Sequence, residues 1–109
     1  MYRLFYVSTA STELQDDEIE LLVNRAAVNN ARLGISGALA FNGLNFAQVL
    51  EGERKAVLDL MESIRNDKRH FGVVVVLEGD RRERRWDGWS MTRIEGLEFD
   101  PLVETALAD

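Results

Sequence analysis

The chain of 109 residues contains no cysteine, one histidine (His70) and one proline. Without cysteine there can be no disulfide framework, no thiolate metal site and no cysteine nucleophile. A single histidine excludes a multi-histidine metal centre, and Asp67 with His70 supplies too few ligands for a defended site. No apolar run approaches the ~20 residues of a spanning helix. The N-terminus, Met1-Tyr2-Arg3-Leu4, has no basic stretch leading into an apolar one, so neither a signal peptide nor a membrane is expected, and the reading is cytoplasmic. A net charge of −6 disfavours nucleic acid as a partner. The arginines at 81, 82, 84 and 85 read as a solvated hairpin beside a β-turn. Phosphate-loop (GxxxxGK[ST]), dinucleotide (GxGxxG) and serine-elbow (GxSxG) patterns are missing too, so phosphoryl transfer and serine hydrolysis lack their parts.

What remains fits one domain. Tyr2 to Ser8, aromatic and β-branched, reads as a strand. Ser11, Thr12, Asp16 and Asp17 offer N-caps and first-turn acids for a helix whose stripe is Ile19, Leu22, Val23, Ala26 and Ala27, closed near Gly34. Ile35–Phe41 and Leu44–Leu50 read as strands joined at Asn42-Gly43, a type I′ hairpin signal. A second helix follows through Val57, Leu60, Met61 and Ile64. Phe71 to Leu77, with four consecutive valines, suggests a strand buried on both faces. Glu78-Gly79-Asp80 reads as a turn, Arg84 to Ile94 as a fifth strand, and Asp100-Pro101 as the start of a short final helix. The fold class is α+β: a ferredoxin-like β-α-β-β-α-β-β order, a five-stranded mixed sheet with both long helices on one face. Residues 1–96 form the domain and 97–109 a short helical tail. The opposite sheet face, with Phe5 and Val7, suits either self-association as a homodimer or cover by that tail.

Polar residues inside this apolar pattern mark the place to look for function. Asn30 continues the first helical stripe toward the sheet; it either satisfies carbonyls at a fraying helix end or faces a ligand. Gln48 sits in a row with Phe46 and Leu50; the row is a solvent face, or Gln48 meets a side chain of a neighbouring strand, or it faces a ligand. Tyr6 alternates with Phe5 and Val7, as core tyrosines also do. Asp67 lies one turn beyond Ile64 and opposes the helix dipole, pairing with Arg65, Lys68 or Arg69 or serving a ligand. If both helices share a face, Asn30 and Asp67 line a groove whose floor carries Gln48 and Tyr6. Such a slot suits a flat heteroaromatic ligand with donors and acceptors on its edge.

At these residues the sequence resembles the BLUF domains, blue-light sensors that use a flavin, usually FAD. The likeness runs from Leu4 to Met91. It rests on Leu4-Phe5-Tyr6-Val7-Ser8-Thr9-Ala10, on Asn29-Asn30 with Gly34-Ile35-Ser36-Gly37, on Phe46-Ala47-Gln48-Val49-Leu50-Glu51-Gly52, on Asp67-Lys68-Arg69-His70 and on Trp89-Ser90-Met91. The resemblance implies a photoreceptor module without enzymatic turnover, its flavin ring held between the helices. It implies that Tyr6 donates an electron and a proton after excitation, and that Gln48 then rearranges its hydrogen bonds. Asn30 would hold the ring's carbonyl edge, with Asn29 beside it. Phe46, Asp67, Arg69 and His70 would complete the flavin site, and Trp89 and Met91 would relay the signal along the last strand. The output would then lie in a separate effector or in a fused domain. The family's usual Ser-Arg is replaced by Ala26-Ala27, and its usual threonine by Ser36. Ser63 stands where some members are basic, which leaves FMN or riboflavin open beside FAD. The competing readings are a non-photoactive, ferredoxin-like regulatory domain that binds a small molecule, and a cofactor-independent oxygenase, for which no convincing general base is present.

Overall fold

The computed structural model describes residues 1–88 and 90–94. Strand β1 (Tyr2–Ala10) leads to helix α1 (Asp16–Leu33), the hairpin β2 (Ser36–Phe41) and β3 (Asn45–Gly52), helix α2 (Arg54–Arg65), and strands β4 (His70–Asp80) and β5 (Thr92–Ile94). The sheet order is β4-β1-β3-β2-β5, antiparallel throughout except for the parallel β2–β5 pair. This is the expected ferredoxin-like α+β sheet with one added edge strand. Trp89, the tail from 95 and the final helix expected at Asp100-Pro101 lie outside the described residues. Among those residues, no helix is long and apolar enough to cross a membrane.

The two-residue period of the strands divides the core in two. Leu4, Tyr6, Leu39, Phe46 and Leu50 face the helices and meet Ile19, Val23, Val57 and Met61. Phe5, Ala38, Ala40, Ala47 and Val49 face the other way. Gly37 is required where β2 lies on β3, because a Cβ there would stand 2.0 Å from the Val49 carbonyl oxygen.

Six local expectations need correction. β4 is an edge strand, not one buried on both faces: Val74 and Val76 are 56% and 55% exposed. Its valines alternate, Val73 and Val75 packing toward the helices. β-branched residues fit any strand, and only the sheet order reveals an edge. Register shifts opposite Phe5/Tyr6 and Val7/Thr9 break the regularity of this edge, as bulges do on strands that must not pair further. Next, Glu78-Gly79-Asp80 is no turn, since β4 runs through Asp80.

The fifth strand is also short, Thr92–Ile94, and lies at the far edge beside β2. The segment 81–91 therefore crosses from one edge to the other, and Trp86 packs with Phe5, Ala38 and Val49 on the sheet face opposite α1 and α2. The arginines belong to this crossing rather than to a solvated hairpin. Arg84 is half-buried, its guanidinium donating to Ser36 Oγ at 2.8 Å, Gly34 O at 2.8 Å and Glu51 O at 3.2 Å.

The β2–β3 hairpin is present, but its turn is not type I′. Gly43 has φ 98°, whereas among the described residues no residue other than glycine, Asn42 included, has positive φ. Asn42 instead accepts with Oδ1 from the backbone N–H groups of Leu44 (3.0 Å) and Asn45 (2.7 Å), an Asx-type turn. Finally, α1 is capped at Gln15, not Ser11 or Thr12; the Gln15 N–H donates to Glu18 Oε1 at 3.4 Å. Asp16 and Asp17 lie in the first turn, where carboxylates favour the helix dipole. Gly34 closes the helix at φ 69°, as expected.

Candidate functional site

A cavity of about 360 Å³ opens between α1 and α2 above the sheet. Its floor is a row across three strands: Tyr6 on β1 faces Gln48 on β3, which faces Leu39 on β2. The α1 wall brings Asn29 and Asn30 on one helical turn, and the α2 wall ends in Asp67, Arg69 and His70 just past the helix. With Phe46, all eight residues expected from the sequence to hold a ligand line this one cavity. Met91 joins them through Gln48. Trp89 lies outside the described residues.

Tyr6 and Gln48 are both buried, and the Tyr6 hydroxyl donates to Gln48 Oε1. That bond sets the orientation of the carboxamide, leaving Nε2 to donate to Met91 Sδ at 3.6 Å. Thioether sulfur is a weak acceptor, so one end of Gln48 is held firmly and the other loosely. Burial, reinforced by the nearby Asp67 charge, raises the Tyr6 pKa well above that of a free phenol and keeps it protonated.

Asn30 is 2% exposed and donates from Nδ2 to the Ser90 carbonyl oxygen at 3.1 Å. The partner is thus a carbonyl, though from the crossing segment rather than from the helix end. Oδ1 of Asn30 has no partner among the described residues. His70 uses both ring nitrogens internally: Nε2–H donates to Ile64 O at 2.6 Å, and Nδ1 accepts from Ser8 Oγ at 2.7 Å. It therefore offers the cavity a ring face, packed edgewise on Tyr6 and Phe46.

Asp67 takes the ion-pair option. Arg69 donates from Nε to both carboxylate oxygens, at 2.9 and 3.0 Å, and again from Nη2. These side-chain bonds, with a backbone bond from Arg69 N–H, hold the Asp67 carboxyl down to about 2. Because its folded value lies below the unfolded 3.8, the stability Asp67 contributes is present above pH 3.8 and is lost as the pH falls through about 2. Urea midpoints of the parent and Asp67→Asn should differ at pH 5 and converge by pH 2; a constant gap would remove this role.

Sequence reasoning missed several wall residues, among them Arg25, Leu22 and Leu60. Leu22 and Leu60 were visible as stripe residues, but no pattern told cavity wall from core. Arg25, one turn before Asn29, carried the one chemical signal.

The lining is a flat apolar slot with side-chain amides along its floor and one wall, in the volume range of small-ligand sites. The second N–H of Gln48 Nε2 and the open acceptor on Asn30 fit the alternating carbonyl and N–H edge of an isoalloxazine ring. The fold and the cavity thus define an α+β domain with a slot of small-ligand size between its helices. Residues 1–92 match the family model described as BLUF, sensors of blue-light using FAD, and the chain belongs to this family.

The chain is 36% identical over 91 residues to the photoactivated adenylate cyclase subunit beta of Euglena longa, covering 82% of this chain and 10% of that protein. Among solved structures it is similar to a Klebsiella pneumoniae BlrP1 manganese/cy-diGMP complex, with a TM-score of 0.82 and 36% identity over 97% of this chain and 28% of that one. It is likewise similar to the dark-state structure of BlrB, a BLUF protein, with a TM-score of 0.80 and 32% identity over 94% of this chain and 78% of that one. The chain spans about a tenth of the length of the first curated relatives it matches.

Proposed function

We propose that residues 1–96 form a photosensor domain that holds FAD in the α1–α2 cavity and converts blue light into a hydrogen-bond change at Gln48. Asn30, with Asn29 beside it, holds the polar edge of the ring. Phe46 and His70 pack against it, and the Asp67–Arg69 pair closes the α2 side. Bound flavin supplies blue-light absorption and an excited-state acceptor for one electron and one proton, both returned in darkness.

The observation that carries the reading is the hydrogen bond from Tyr6 to Gln48 with the Gln48 amide resting on sulfur. A phenol loses an electron most readily when its proton leaves with it, and the bond to Oε1 provides the exit. Gln48 can then re-pair at little cost, because only a weak N–H···S contact is given up. Its donor re-aims at a ring carbonyl, which lowers the transition energy and shifts the absorption band to the red. The change passes to Met91 and, through the Asn30–Ser90 bond, to the segment leading into β5. Trp89 belongs to the same relay. Its output lies in a fused domain or a separate effector.

The purified protein should be yellow, and blue light should shift its flavin band to longer wavelength, with recovery in darkness. Gln48→Leu should keep the flavin and lose the shift. A colourless protein that also refuses added flavin would sink the proposal; a normal photocycle in Gln48→Leu would remove the role of Gln48.

A further inference from the structure

The charges around the cavity do not balance locally. Three ionised side chains line it: Arg25, Asp67 and Arg69. Asp67 and Arg69 neutralise one another through their forked hydrogen bonds. Arg25 is exposed on the α1 rim, and its guanidinium makes no hydrogen bond or ion pair among the described residues. An unpaired cation thus stands at the mouth of a cavity in a chain whose net charge is −6.

The size of the cavity gives that cation an occupant. About 360 Å³ lies at the low end of the roughly 300–1,000 Å³ of small-ligand sites, so the phosphates of a flavin nucleotide must extend beyond it. A neighbouring groove shares Asn29, Leu60 and Ser63 with the cavity and offers a second way out. That groove carries Glu53 and Asp59 against a single cation, Lys55, which is already bound to Asp59 at 2.7 Å. It repels a phosphate, and Ser63 brings no charge. The free guanidinium of Arg25 attracts one, and its fork matches phosphate oxygens.

We propose that Arg25 binds the phosphate of the flavin tail and makes this chain select phosphorylated flavins over riboflavin. The inference rests on the flavin-sensor reading above and adds the residue that discriminates among flavins.

The test is competitive loading. The full chain, stripped of flavin, is equilibrated in darkness with equal concentrations of riboflavin, FMN and FAD, and the bound fractions are separated and quantified. The parent should prefer FMN and FAD over riboflavin by about fivefold, the scale of one exposed charge pair. Half-molar salt should shrink that preference. Arg25→Gln should bring the ratio to about one, so that the riboflavin share rises in the competition while its affinity measured alone stays close to the parent's; Arg25→Lys should restore most of the preference, and Lys55→Gln should not alter it. If Arg25→Gln keeps the parental ratio, Arg25 does not grip the phosphate and the flavin reading stands. If the parent takes up none of the three flavins, that reading falls and this one with it.

Discussion

Tyr6→Phe is expected to keep its flavin and to show no light-induced red shift at all. The substitution removes a single oxygen from a side chain that is 4% exposed and leaves the ring's packing on His70 intact. What disappears is the one O–H that donates to Gln48 Oε1. Without it the excited flavin has neither a phenol to oxidise nor a proton path into the carboxamide. A second, smaller effect follows from the same deletion. The buried Gln48 oxygen loses its donor, at a cost of about 1–3 kcal/mol in folding stability. Absorption spectra before and after blue light, with urea midpoints on the same samples, separate the two. A full red shift in Tyr6→Phe would remove Tyr6 from the mechanism. A lost shift with unchanged flavin content is the result the proposed mechanism expects.

The largest loss of stability should come from a residue outside the cavity. Glu51 and Arg3 are both fully buried, with Arg3 Nε 3.4 Å from Glu51 Oε2. Glu51 also accepts from Ser36 Oγ at 3.0 Å and from the backbone N–H groups of Arg85 (3.0 Å) and Trp86 (2.7 Å). One carboxylate thus balances a buried guanidinium and fastens the crossing segment under the sheet. Glu51→Ala takes the carboxylate from beside that buried cation and from the two backbone N–H groups of the crossing segment, and should cost about 3–5 kcal/mol, a large part of the 5–15 kcal/mol typical of a domain. Removing both charges in Arg3→Met/Glu51→Leu should recover much of the loss, because a buried guanidinium without its carboxylate carries most of the penalty. Denaturant midpoints decide the matter: a loss below about 1 kcal/mol in Glu51→Ala, or a double variant no better than the single, would contradict the clamp.

The clamp bears on the sensor because the same segment touches the cavity at its other end. Between the Glu51 bonds at Arg85 and Trp86 and the contacts of Ser90 and Met91 lies Gly88, at φ 86°. In the proposed mechanism, a hydrogen-bond change at Gln48 would act on a segment fastened at its other end by Glu51. Arg93 of β5 in turn pairs with Asp16 at 3.0 Å and Glu20 at 2.9 Å, tying the strand to the start of α1.

The elements themselves were legible from local signals. Stripes at spacings of three and four placed both helices, Gly34 ended the first, and alternation on β3 put Gln48 with Phe46 and Leu50. Those signals arise between near neighbours in the chain, so sequence carries them whole. The site was legible for a related reason: buried amides and a phenol in an apolar pattern stand out because each must find a partner.

What the sequence by itself determined was the α+β order, the family, and the eight residues that came to line one cavity. The tertiary structure alone decided which strand is an edge, since a valine run reads alike at an edge or in the centre. It decided that residues 81–91 cross the sheet instead of turning back, because the partner of β5 lies some fifty residues earlier in the chain. It turned Glu51 from one letter of a motif into the clamp under the sheet, and Arg25 from an exposed helix residue into a charge at the mouth of the cavity. Each of these depends on what a distant segment brings alongside, and no local period encodes that.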